Sequence, residues 1–144
     1  MSHPRVVLAS LAVTLAAWAG TAAAQGKDVS IKGTYTVKFD AVANNCSKAG
    51  MSLSSATVDV SQPKERSVSV TIPSVPIMSG VVSRGGKFRA GAKRGKTAIQ
   101  GVAGRFSVAG RVERGTIQFL LIAEYFEGDK PLCTQSWNAS GPRQ

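Results

Sequence analysis

The sequence predicts an all-β protein, a small antiparallel up-and-down barrel of about eight short strands, with a β-sandwich as the alternative. Three observations lead there. Apolar and polar residues alternate with period two along most of the chain from Tyr35 onward. Turn clusters rich in Gly, Pro, Asn and Asp separate the alternating runs. No stretch shows the 3.6-residue periodicity of an amphipathic helix.

Residues 1–24 read as a secretory signal peptide. Arg5 supplies the positive start, residues 6–20 are uncharged and apolar, and Ala22, Ala23 and Ala24 are the small residues a signal peptidase needs. The apolar run is too short for the ~20 residues of a membrane-spanning helix. Cleavage after Ala24 leaves residues 25–144 as a single domain large enough to bury a core. No later segment could cross a membrane as a helix, because the longest apolar stretch, residues 119–123, has the length of a strand. The expected location is periplasmic or secreted.

The strands follow in order. Tyr35, Val37, Phe39 and Ala41 share one face of the first run, and Asn44-Asn45 ends it just before Cys46. Met51 and Leu53 open a second apolar set whose phase slips at Ser54-Ser55, the mark of a β-bulge, before Ala56, Val58 and Val60 continue it. After the polar turn 62–65, Val68, Val70 and Ile72 alternate with Ser67, Ser69 and Thr71. Pro73 and Pro76 then predict a loop or edge segment over 74–80, because proline cannot donate to a ladder. Ser83-Arg84-Gly85-Gly86 is a turn, and Phe88, Ala90 and Ala92 face inward after it. Residues 97–103 are ambiguous. Residues 105–112 alternate with Phe106 and Val108 inward, Arg114-Gly115 turns the chain, and residues 116–126 form the most apolar strand, expected to be covered on both faces for part of its length. A turn at 127–130 leads to a last strand over 132–139 that carries Cys133 and Trp137.

The two cysteines, Cys46 and Cys133, read as one disulfide in an exported chain of this size. Cys46 lies just past the first strand and Cys133 at the start of the last. If those strands are antiparallel neighbours, the bridge locks the seam where a barrel closes; a sandwich could also bring them together.

Composition excludes several chemistries. The one histidine, His3, belongs to the predicted signal peptide, and both cysteines are expected to be bonded. Ser-His-Asp and Cys-His catalysis are therefore not expected within residues 25–144, nor is a zinc or copper site of ordinary composition. No cofactor, no metal and no enzymatic activity are expected. Glu127 and Asp129 read as a solvated turn, whereas Glu124 interrupts an apolar strand and would need a cationic partner if it faced inward. The run from Ala90 to Gly95-Lys96-Thr97 fits a relaxed phosphate-loop pattern, and Ser61-Gln62-Pro63-Lys64 fits Ser-x-x-Lys. Both lack the helix that their chemistry requires. Asn138-Ala139-Ser140 is a glycosylation sequon.

The charge is strongly positive, 18 Lys and Arg against 8 Asp and Glu for a formal net charge of +10. Losing Arg5 with the signal peptide brings it to +9. Arg84, Lys87, Arg89, Lys93, Arg94 and Lys96 form a basic segment without an acid, and Arg105, Arg111 and Arg114 extend the bias. This predicts a positive hairpin suited to phosphate, sulfate or carboxylate groups. Nucleic acid is not expected, because a single interleaved aromatic, Phe88, makes no stacking platform. Tyr35, Phe39, Phe88, Phe106, Phe119, Tyr125, Phe126 and Trp137 either fill the interior or line a ligand cavity.

Gly33-Thr34-Tyr35 before Cys46, a Gly-rich middle with Gly80-Val81-Val82 and Gly104-Arg105-Phe106, and the closing Cys133-Thr134-Gln135-Ser136-Trp137-Asn138-Ala139 carry a resemblance. The chain resembles the small exported two-cysteine β proteins common in Gram-negative bacteria. The resemblance implies the seam disulfide and adds no function. The expected function is that of an exported binding module that recognises an anionic envelope component, lipid or polysaccharide, through the basic hairpin. The alternatives are a calycin-like carrier of a small apolar ligand and an inhibitor of a foreign hydrolase acting through the loop 74–80.

Overall fold

The computed structural model describes residues 30–144. The predicted signal peptide, residues 1–24, lies outside the described residues. Nine strands run in chain order: β1 Gly33–Asn44, β2 Ser55–Ser61, β3 Ser67–Thr71, β4 Met78–Val82, β5 Lys87–Gly91, β6 Gly95–Lys96, β7 Val102–Glu113, β8 Thr116–Glu127 and β9 Lys130–Pro142. All pairings between them are antiparallel, the strands form one sheet, and no helix occurs among the described residues. Nor does any described helix exist that could cross a membrane.

Each strand pairs with the next from β1 to β5, β7 pairs with β8 and β8 with β9. Two further pairings join what is distant in sequence. β9 returns beside β1, and β5 pairs with β7 over Lys87↔Arg111 to Gly91↔Ser107. Eight strands therefore form a closed ring of hydrogen-bonded neighbours, and the two-residue β6 hangs on the edge of β7.

The alternation seen in the sequence is the in-out alternation of this ring. Tyr35, Val37 and Phe39 of β1, Val58 and Val60 of β2, and Phe119, Leu121 and Ala123 of β8 are all buried. The middle is occupied by Phe39, Phe88 and Phe119, whose rings meet edge to face at 6.1 and 6.4 Å between centroids. Gly110 makes that meeting possible. It pairs with Phe88 on one side and Phe119 on the other, and a Cβ there would lie 2.0 Å from the Gln118 carbonyl oxygen. The absent side chain lets the strand pass that close while the two rings cover the backbone.

Both ends of the ring are furnished. At one end Ile31 is fully buried, and the Tyr35 hydroxyl donates to the Ile31 carbonyl at 2.6 Å while Arg143 donates to the Tyr35 oxygen at 2.9 Å. At the other end the connection 45–54 is pinned to β9. Cys46 and Cys133 are bonded, with Cα atoms 5.1 Å apart. Asn44 pairs with Gln135, so the bridge continues the β1–β9 register two residues on. Asn45 fills the step between, donating its N–H to Thr134 O and accepting from Thr134 N at 2.8 Å. The disulfide thus joins the terminal strands of the ring, as the seam argument expected.

Several expectations need correction. The slip at Ser54-Ser55 is not a bulge: Met51 and Leu53 lie in the connection, and Ser55 starts β2. The irregularities occur instead between Ala41 and Ala43, which leaves Val42 exposed, and between Tyr125 and Phe126. The segment 74–80 is not one loop, because both prolines precede Met78, where β4 begins with its donors intact. β4 is no edge, since it pairs with β3 and β5. β8 is buried on one face only; Leu120, Ile122 and Phe126 on its outer face are partly exposed. The last strand is also longer than expected, because β9 extends from Lys130 to Pro142 to match β8.

Candidate functional site

The predicted basic segment is spread along β5 and past both of its ends. Arg84 sits in the turn before β5, and Lys87 and Arg89 point outward from β5, since Phe88 and Ala90 between them are buried. Lys93, Arg94 and Lys96 lie past the other end of the strand. Residues 90–92 lie between Arg89 and Lys93, a separation of about 13 Å in extended chain at ~3.3 Å per residue. Arg94 is committed elsewhere: its guanidinium lies 3.9 Å above the Phe126 ring and donates to the Gly128 carbonyl. Phe126, counted among the possible cavity-lining aromatics, is therefore an outer-face platform for Arg94 and Arg105. Glu124 also faces outward, paired across strands with Arg105, whose Nε donates at 3.0 Å.

What the fold assembles instead is a row across the outer surface. Lys87 of β5 pairs with Arg111 of β7, Arg111 with Gln118 of β8, Gln118 with Ser140 of β9, and Ser140 with Lys38 of β1. The next outward row runs Arg89, Ala109, Leu120, Asn138 and Asp40. At ~4.8 Å per strand, Lys87 and Ser140 are about 14 Å apart along the row. Of these, Lys87, Arg111, Gln118, Asn138, Ser140 and Asp40 line an open groove of about 590 Å³, with Lys87 and Arg111 at one side and Asp40, Asn138 and Ser140 at the other. Among the described residues Arg111 lies within ion-pair distance of Glu113, at 4.0 Å, both side chains being exposed. Among the described residues neither Lys87 nor Arg89 has a carboxylate within ion-pair distance.

Chemically the groove combines two fixed cations with amide, hydroxyl and carboxylate groups. It has donors for an anion and paired donors and acceptors for hydroxyls. Of its members, sequence reasoning named Lys87 as a site residue and noted Arg111 as part of a basic bias. Gln118, Asn138, Ser140 and Asp40 were missed. Their outward positions follow from period two, but which of them share a row depends on register.

A second concavity, of about 410 Å³, opens at the disulfide end of the ring, where Phe106 and Tyr125 from the inner face meet the connections 45–54, 72–77 and 97–101. Beneath it lies Gln135, the one buried polar side chain among the described residues. Its carbonyl accepts from Met51 N at 2.9 Å and from the Tyr125 hydroxyl at 3.3 Å, and its amide donates to Met51 O at 3.2 Å. Burial pushes the Tyr125 phenol above its ordinary pKa.

The two patterns that suggested phosphate-loop and Ser-x-x-Lys chemistry fall in strand and turn segments. Residues 90–97 run from β5 into β6, and residues 61–64 run from β2 into a turn. No known protein family, characterised protein or solved structure matches the chain.

Proposed function

We propose that this is an exported, periplasmic or secreted, non-enzymatic binding module, that its eight-strand ring is an up-and-down barrel, and that its outer face holds an anionic polysaccharide. The observation that carries the reading is the groove across β5, β7, β8, β9 and β1, with Lys87 and Arg111 adjacent and Gln118, Asn138, Ser140 and Asp40 continuing it. A saccharide laid across the strands would set a sulfate, phosphate or carboxylate on the cation pair and its hydroxyls on the amide and carboxylate side. A net charge of +9 once Arg5 is lost favours encounter with such a polymer. The amide, hydroxyl and carboxylate side chains of Gln118, Asn138, Ser140 and Asp40, which can pair with sugar hydroxyls, favour a sugar chain over a lipid surface.

Binding to delipidated lipopolysaccharide core, to a sulfated glycan and to a neutral glucan, each across a salt series, tests the reading. Exposed cation contacts contribute about 0.5–1 kcal/mol each, so Lys87→Ser with Arg111→Ser is expected to weaken anionic-glycan binding about tenfold and to flatten its salt dependence. Lys93→Ser with Lys96→Ser is expected to leave most of it. If the outer-face pair binds like the parent, or the neutral glucan binds as well, the proposal is wrong.

A further inference from the structure

The pocket at the disulfide end is a separate feature, and we infer that it binds a small amphipathic anion, an apolar body with a carboxylate-type head. Its walls come from three connections and two inward-facing rings. Met51, Val75, Ile99, Phe106 and Tyr125 are apolar or aromatic, and Lys96 is the charged residue among those lining it. Its volume, about 410 Å³, lies in the range of small-ligand sites, ~300–1,000 Å³.

Two further observations mark it as built rather than accidental. The first is strain. Residues Ile72 to Val75 make a turn closed by Val75 N donating to Ile72 O at 3.1 Å. Its third residue, Ser74, has φ +67, where glycine or asparagine is ordinary. Serine is strained there, and the turn it makes sets Val75, 8% exposed, in the pocket wall. The second is rigidity on the opposite wall. Met51 has both its backbone N–H and its carbonyl bound by buried Gln135, on a connection that the Cys46–Cys133 bridge ties to β9. Both walls are therefore fixed before any ligand arrives, which lowers the ordering cost of binding. The lining remains partly apolar and wet: Ile99 is 39% exposed. A ligand that covers Ile99 removes that surface from water, and Lys96 beside it fixes the sign of the head group.

The probes are 1-anilinonaphthalene-8-sulfonate, read by fluorescence, and decanoate and decanol as competitors. The expected result is saturable one-to-one dye binding, displaced by decanoate at about three- to tenfold lower concentration than by decanol. Lys96→Gln is expected to abolish that difference. Ala98→Trp, at an exposed lining position, is expected to fill the mouth and eliminate dye binding, and Ile99→Glu to repel the anion. Neither site should strain the fold, which unchanged thermal unfolding checks. Dye binding that survives both Ala98→Trp and Ile99→Glu, or no saturable binding to the parent, overturns the site. Decanol competing as well as decanoate overturns the anionic preference. Lys87→Ser with Arg111→Ser is expected to leave dye binding intact, which separates this pocket from the outer groove.

Discussion

Replacing Cys46 and Cys133 together by alanine is expected to cost roughly 4–5 kcal/mol of stability. The bridge spans 87 residues, and the loop-closure entropy it removes from the unfolded chain amounts to roughly 4.6 kcal/mol at 25 °C. The native state should lose little when the sulfur–sulfur bond is gone. Asn45 already ties the two strands on the same step, through its N–H to Thr134 O at 3.3 Å and its side chain to Thr134 N at 2.8 Å. The effect should therefore sit in the unfolded ensemble, which expands, so the urea m-value should rise as the midpoint falls. A domain of this size loses about 3–5 °C in Tm per kcal/mol, so a drop of roughly 15–20 °C is expected. Urea unfolding of parent and double variant measures both quantities. A loss below about 1 kcal/mol, or an unchanged m-value, would refute the loop-closure reasoning.

Gln135→Met keeps the volume but strips partners from Met51 N, Met51 O and the Tyr125 hydroxyl, and should cost about 2–3 kcal/mol in chemical unfolding. Gly110→Ala places a Cβ 2.0 Å from the Gln118 carbonyl oxygen; a loss of about 3 kcal/mol or more is expected, with disturbance of the Phe88–Phe119 contact in near-UV circular dichroism. Ser74→Gly relieves the left-handed turn residue and should gain about 0.5–1 kcal/mol in the same assay, net of glycine's entropy. For pH, the folded state holds the Tyr125 proton more tightly than the unfolded chain does. Its contribution is therefore fully present below about pH 10 and is lost as pH rises through the folded value. Tyr125→Phe should flatten the alkaline decline of stability measured by urea titration at a series of pH values.

Much of this architecture is legible in one dimension. The alternation over Tyr35 to Phe39, Val68 to Ile72 and Phe106 to Val112 announces strands with one buried face, because side chains on extended backbone alternate sides whatever the neighbour. Two cysteines flanking the first and last strands announce their own pairing. The turns after Pro73 and at Arg114-Gly115 are likewise local. Register is different. That Lys87 stands beside Arg111 and that Asp40 joins their groove depend on hydrogen bonds between residues tens of positions apart.

The same division holds for the basic segment. The sequence by itself determined that Arg84 to Lys96 is cationic and that the chain is all-β with one disulfide. Only the tertiary structure decided that β5 pairs with β7 and closes the eight-strand ring. It decided too that Lys87 looks out onto a groove while Arg94 is spent on Phe126 and Lys96 guards a pocket at the far end. The reason is physical. Alternation and turn chemistry act within a few residues, whereas the neighbours of an outward side chain are set by which strands pair and in what register, and that choice is made by the buried faces of all eight strands together.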